Sequence, residues 1–153
     1  MRGINLYSIT IFTFWLTNIN AFAQKQTISG ADSKLFKLIE LYSQAREKQD
    51  TILLKSILTP DVDQLVSTGE WRNGLASSIK GMLRSSAASA GNRTIAVDKI
   101  KYIGTDAAII DTRYDVPNAD GSVRKMWSCF IAIKDRDDWK ISAIRNMMPT
   151  GPN

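Results

Sequence analysis

The chain has 153 residues, 20 basic against 15 acidic side chains for a formal charge of +5, one cysteine and no histidine. A single thiol excludes a disulfide framework within the chain, and without imidazole neither a histidine-activated nucleophile nor a conventional zinc site can be assembled. Basic residues are interspersed with acids from Lys25 to Arg145 rather than gathered into a stripe, which argues against nucleic acid as a partner.

Residues 1–23 read as an export signal peptide. Arg2 is followed by an apolar stretch from Ile4 to Leu16 and by Ala21-Phe22-Ala23, whose small residues flanking Phe22 fit peptidase cleavage before Gln24. Asn5, Ser8, Thr10 and Thr13 dilute a stretch already short for spanning lipid, so the expectation is a periplasmic or secreted protein with no membrane attachment after cleavage. Cleavage removes Arg2 and no acid. Residues 24–153 then have the length of one domain.

After a polar arm, Asp32 and Ser33 offer caps to a helix whose apolar positions Leu35, Leu38, Ile39, Tyr42 and Ala45 recur at intervals of three and four. Asp50 caps a shorter second helix, carrying Ile52, Leu53, Ile57 and Leu58, which Pro60 ends by denying its predecessor helical geometry. Residues 62–74 read as two short strands around a turn near Gly69, with Trp71 on the second. Leu75, Ile79, Met82 and Leu83 restore helical spacing until the Ser/Ala-rich stretch before Gly91. Four longer strands follow at 93–104, 107–117, 123–134 and 139–149, joined by polar turns short enough for antiparallel hairpins. The predicted fold is α+β: three helices packed on a curved, mainly antiparallel sheet of about six strands. Apolar residues on both faces of residues 129–133 require cover on both sides, and three helices cover only one. A second copy of the sheet in a homodimer is the economical cover for the other.

This order of elements resembles the nuclear transport factor two-like superfamily, a cone whose curved sheet wraps its helices around a pocket. More closely it is similar to the polyketide-cyclase-like (SnoaL-like) branch. The resemblance is carried by the helix junction from Asp50 to Leu58, by GEWRNGLASSIKGML (69–83) and by MWSCFIAIKDRDDWKISAIRNMMP (126–149), where Trp139-Lys140-Ile141 is followed by Asn146 and Pro149. Many relatives carry His-Asn where this chain has Arg145-Asn146, so the imidazole available to them is missing. The resemblance implies a pocket; it does not specify a reaction, because the fold hosts isomerases, dehydratases, cyclases, binding modules and assembly domains.

The chemistry left to the chain is that of carboxylate, phenol, amine and guanidinium. Asp63 and Tyr114 are the catalytic candidates, as a general base and a phenolic donor; their plain alternatives are a solvated flanking aspartate and a packed strand tyrosine. Trp71 and Trp127 offer aromatic surface for a pocket wall, or serve the core. In residues 139–149, strict alternation sets Trp139, Ile141, Ala143, Arg145 and Met147 against Lys140, Ser142, Ile144, Asn146 and Met148. A guanidinium inside such a run needs a carboxylate, a phenol or an anionic ligand, so Arg145 and Asn146 mark a cavity or an interface. The aspartates of DRDD (135–138) lack the glycine and distal glutamate of a calcium loop and read as a solvated turn. No metal or other cofactor is expected. Three functions stay open: an exported dimeric domain binding a small, largely apolar molecule whose acidic group faces Arg145; an isomerase, dehydratase or cyclase using Asp63 and Tyr114; and an assembly module without a ligand.

Overall fold

The computed structural model describes residues 30–88 and 93–149. The export leader expected at 1–23 and its cleavage site lie outside the described residues. Among those described, no helix is long and apolar enough to cross a membrane.

Three helices and six strands follow the predicted order: α1 (Gly30–Glu47), α2 (Thr51–Ile57), β1 (Leu58–Leu65), β2 (Trp71–Asn73), α3 (Leu75–Ala87), β3 (Thr94–Ile103), β4 (Ala107–Pro117), β5 (Val123–Asp135) and β6 (Asp138–Met147). All six strands form one sheet in the order β2-β1-β6-β5-β4-β3. Every pairing is antiparallel except β1 with β6, which is parallel and closes the sheet around the helices. The architecture is the expected α+β cone.

The stripe on α1 does what its spacing implies: Leu35, Leu38, Ile39, Tyr42 and Ala45 are all buried against the inward face of the sheet. Its start differs from expectation. Because the helix begins at Gly30, Asp32 lies within the first turn, where its carboxylate accepts a hydrogen bond from the Tyr102 hydroxyl at 2.8 Å. Asp50 is the cap of α2, accepting from the backbone N–H groups of Ile52 and Leu53 at 3.0 and 2.9 Å. The chain leaves α2 directly into β1, four residues earlier than the alternating pattern indicates. Pro60 lies inside that strand on an exposed position, and the β1–β6 register shifts between Leu58 and Asp63. A residue without an N–H cannot hold the ladder there. Gly69 (φ 91°) makes the tight turn into β2, its N–H donating to the Val66 carbonyl at 2.8 Å.

Two further irregularities bend the long strands. Val97 pairs with Thr112 while Lys99 pairs with Asp111, so Asp98 is an extra residue on β3. Ile131 pairs with Ala143 while Ala132 pairs with Ile141, so Ser142 is an extra residue on β6. Such insertions increase twist and curve a sheet. The second also reverses the facing of everything after it.

The inward face of the sheet is therefore graded along its length. One rank across β4, β5 and β6 is Ile110, Phe130 and Ile144; the next is Thr112, Ser128 and Asn146. The first meets Tyr42 of α1, whose ring stands edge-on to Phe130 with centroids 5.1 Å apart, in the aliphatic core. The second is polar and internally satisfied: Thr112 Oγ1 donates to the Ser128 carbonyl at 2.8 Å, and Ser128 Oγ donates to Asn146 Oδ1 at 2.7 Å. Replacing the α2 cap, Asp50→Ala, is expected to lower stability by about 1 kcal/mol, read as a shifted denaturant midpoint with unchanged slope.

Candidate ligand-binding site

Beyond the polar rank, the narrow interior opens into a hollow of about 100 Å³. Tyr114 and Val116 of β4 and Met126 of β5 line it from the sheet; Arg46 of α1, Ser85 of α3 and Gln64 of β1 line it from the other elements, with Arg72, Arg93 and Asn146. Among the described residues lining it there is no carboxylate.

Three guanidinium groups are buried around this hollow, and they are not equivalent. Arg72 is held by Glu70, with Nε to Oε1 at 3.0 Å, and donates to Gln64 Oε1 at 3.2 Å. The Arg72 hydrogen bond is also the largest cause holding the Glu70 carboxyl below its usual range. Its side chain crosses α3 at Gly81, where an added methyl would run into the guanidinium. That explains a glycine in mid-helix. Arg93 lies 3.9 Å from the Glu47 carboxylate and donates through Nη1 to Ser86 Oγ at 3.0 Å. Burial, the largest cause, lowers its proton affinity below the ordinary guanidinium value, yet an arginine remains a cation.

Arg46 is different. Only 3% exposed, it donates to Tyr42 Oη at 2.7 Å, to Ser86 Oγ at 3.1 Å and, at a long 3.4 Å, to Ser85 Oγ. All three acceptors are neutral. Among the described residues no carboxylate comes within 4 Å of it in an ion pair. Tyr114, 4% exposed, has no hydrogen-bond partner for its hydroxyl among the described residues and lines the same hollow. Burial is the largest cause raising its pKa, opposed by the nearby charges of Arg46 and Arg93, so the phenol stays a proton donor at neutral pH.

The residues singled out in the sequence are divided between the two faces of the sheet. Tyr114 and Asn146 are inside. Asp63 alternates with the buried Val62 and Gln64 and so faces outward, where Arg145 Nη1 donates to Asp63 Oδ1 at 2.6 Å. The Arg145 guanidinium lies over the Trp71 ring, 4.9 Å from its centroid. Trp71 and Trp127 are 53% and 40% exposed on that outward face, so neither is a wall of the inner hollow. The expected pairing of Asp63 with Tyr114 across a common point is not assembled: one residue looks out of the cone and the other into it. Arg145 and Asn146 point to opposite sides, as the alternation of their strand implies, Asn146 inward and Arg145 outward. Asp135 and Asp138 are exposed at the β5–β6 turn, and among the described residues no cluster of three or more potential metal ligands occurs. Cys129, also on the outward face, has its thiol pKa pushed up to about 11, first by burial and then by its hydrogen bond to Asp111.

Sequence reasoning missed Arg46, Gln64, Arg72 and Arg93. A signal existed for two of them. Arg46 stands four residues after Tyr42 and continues the apolar stripe of α1, and Gln64 shares the face of Val62 two residues earlier. Arg93 and Arg72 are brought in by the ends of other elements, and no local pattern marks them.

A curled six-stranded sheet around three helices, with a hollow at its polar end, defines the class: this is the NTF2-like fold. It is shared with NTF2-like proteins of unknown function from Pseudomonas putida KT2440 (TM-score 0.67, 14% identity, covering 82% of this chain and 92% of that one) and Shewanella oneidensis MR-1 (0.65, 16%, 76% and 98%). A structure from Streptomyces avermitilis, described as a candidate dehydratase from the NTF2-like family, matches at TM-score 0.64 and 12% identity over 78% and 97% of the two chains. At these identities the likeness is one of fold. No family model matches the sequence, and no curated protein does.

The phenol supplies a pH test. Because the folded-state pKa of Tyr114 lies above its ordinary value of 10, the unfolded chain releases this proton first as pH rises. Stability carried by the neutral phenol is therefore complete below pH 10 and lost above it. The stability of the parent protein is expected to fall more steeply as pH rises above 10 than that of Tyr114→Phe, as followed by urea denaturation.

Proposed function

We propose that this protein is an exported, homodimeric pocket domain that holds one small molecule at the polar end of its cone. The observation that carries the reading is the Tyr114 hydroxyl: on a residue only 4% exposed, it lines the hollow and has no hydrogen-bond partner among the described residues, in a domain whose other inward polar groups mostly satisfy one another. A ligand acceptor seated in the hollow takes that donor's hydrogen bond, worth about 0.5–1.5 kcal/mol net. With arginine, glutamine, asparagine and tyrosine in its lining, the hollow suits a polar occupant rather than the largely apolar one expected from sequence. Its volume limits that occupant to a few heavy atoms, well below the usual 300–1,000 Å³ of drug-sized sites.

The description of the Streptomyces structure raises a competing dehydratase reading. That reading requires a base beside Tyr114, and the carboxylate proposed for the role is committed to Arg145 on the outward face. Binding is the reading the geometry favours. Native mass spectrometry of the protein purified from its own host is expected to show a retained small molecule. An unliganded protein that no member of a panel of small acids, amides and alcohols stabilises would sink the pocket reading.

Dimerisation is proposed from the outward face, where Trp71, Trp127 and Met147 are exposed together and Trp127 pairs directly with Met147 across the strands. Light scattering of residues 24–153 at micromolar concentration is expected to give twice the protomer mass, and the Trp127→Glu, Met147→Glu double variant to give the monomer. A monomeric parent protein across that range overturns the dimer.

A further inference from the structure

Resting on the pocket reading above, we infer that the occupant is a short-chain carboxylate, whose anionic head is held by Arg46 and Tyr114 beside Arg93. Charge accounting inside the cone leads there. Of the three buried guanidinium groups, Arg72 pairs with Glu70, which it shares with Arg84, and Arg93 lies beside Glu47, whereas Arg46 hydrogen-bonds only neutral oxygens and feels Glu47 at longer range; Arg124 adds a further, exposed positive charge to the lining. A buried ion without a counter-ion loses several kcal/mol of hydration that neutral hydrogen bonds restore only in part. A negative charge seated in the hollow is the counter-ion that Arg46 lacks within hydrogen-bond distance.

Tyr114 is the independent second observation. The residue is only 4% exposed, its hydroxyl has no partner among the described residues and lines the same hollow, and the positive charges of Arg46 and Arg93 act on it. An acceptor seated there receives a charge-assisted hydrogen bond from an O–H and lies within the field of two guanidinium groups. A carboxylate has two acceptor oxygens and a single charge. A neutral amide leaves the Arg46 charge unmatched, and the apolar part of the lining favours a carboxylate carrying a short alkyl tail over a phosphate with about −1.5 to −2 charges.

The rest of the lining sets the tail. Val66, Val116 and Met126 give the hollow an apolar wall, and about 100 Å³ leaves room for a two- to four-carbon acid rather than an aromatic or fatty one. Arg145, which the sequence proposes as the anion partner, already has Asp63. The role passes to an arginine on a different element.

Titration calorimetry and thermal shift with acetate, propionate and butyrate, against propionamide and inorganic phosphate at constant ionic strength, test the inference. Propionate is expected to bind, propionamide and phosphate at least tenfold more weakly. Tyr114→Phe is expected to weaken propionate about tenfold to a hundredfold, and Arg46→Met to abolish its binding. Since Arg46→Met replaces an unmatched buried charge by an apolar chain, the unliganded variant is expected to melt no lower than the parent protein, which separates loss of the site from loss of the fold. Propionamide binding as well as propionate overturns the anion assignment and leaves the pocket reading standing. Phosphate binding more tightly than propionate overturns the choice of carboxylate. Carboxylate binding untouched in both variants moves the site elsewhere, and no carboxylate binding at all ends the inference, while native mass spectrometry still judges the pocket by itself.

Discussion

One extra residue on the last strand governs which side chains meet inside this cone. Side chains on a strand alternate with period two, so a single insertion moves every later residue to the other face. At Ser142 the ladder slips by one. Ile141 and Ile144 thereby both face the core, Asn146 joins Ser128 and Thr112 in a polar rank, and Arg145 is sent outward. Without the slip, Ala143, Arg145 and Met147 would share the inward face with Ile141. A further guanidinium would then join the three buried ones on the inward side.

That grading from aliphatic to polar explains how a small domain holds both a dry core and a wet hollow. The aliphatic end is closed by Leu35, Leu38, Ile39 and Phe130, all buried in one apolar cluster. The other end collects the tips of long polar side chains from α1, β1, β2 and the segment leading into β3. These chains bring their own partners: Glu70 reaches Arg72, and Glu47 reaches Arg93. Arg46 is the exception to that self-sufficiency, and Tyr114 is its neighbour. The hollow is thus where an arginine without a paired carboxylate and a tyrosine hydroxyl without a partner among the described residues lie side by side.

The outward face follows a different rule. There the Arg145 guanidinium bonds Asp63 and stacks on Trp71, a partly exposed arrangement worth about 1 kcal/mol or less for the ion pair. Beside it are Trp127 and Met147, apolar and accessible. The inside of the cone is thus organised by charge that must be matched, and the outside by apolar surface that favours being covered.

The elements themselves were legible from local pattern. The three-and-four spacing on α1, the Asp50 cap and the polar turns between four alternating runs each depend on residues close in sequence, and the structure keeps them within a few positions. The α+β cone followed from their order. What local pattern could not supply was the parallel insertion of β1 beside β6 and the two one-residue slips, because pairing register is set by the partner strand and not by the strand itself. The candidate residues fared accordingly. Tyr114, on the unbroken alternation of β4, shares the inward face of Ile110 and Thr112, whereas Arg145 lies downstream of a slip, and the choice between cavity and interface that its sequence left open was decided by that slip in favour of the outward face. Burial of Arg46 without a counter-ion was decided only when α1, α3 and the sheet came together, since the desolvation of a charge depends on everything packed around it, most of which is far away along the chain.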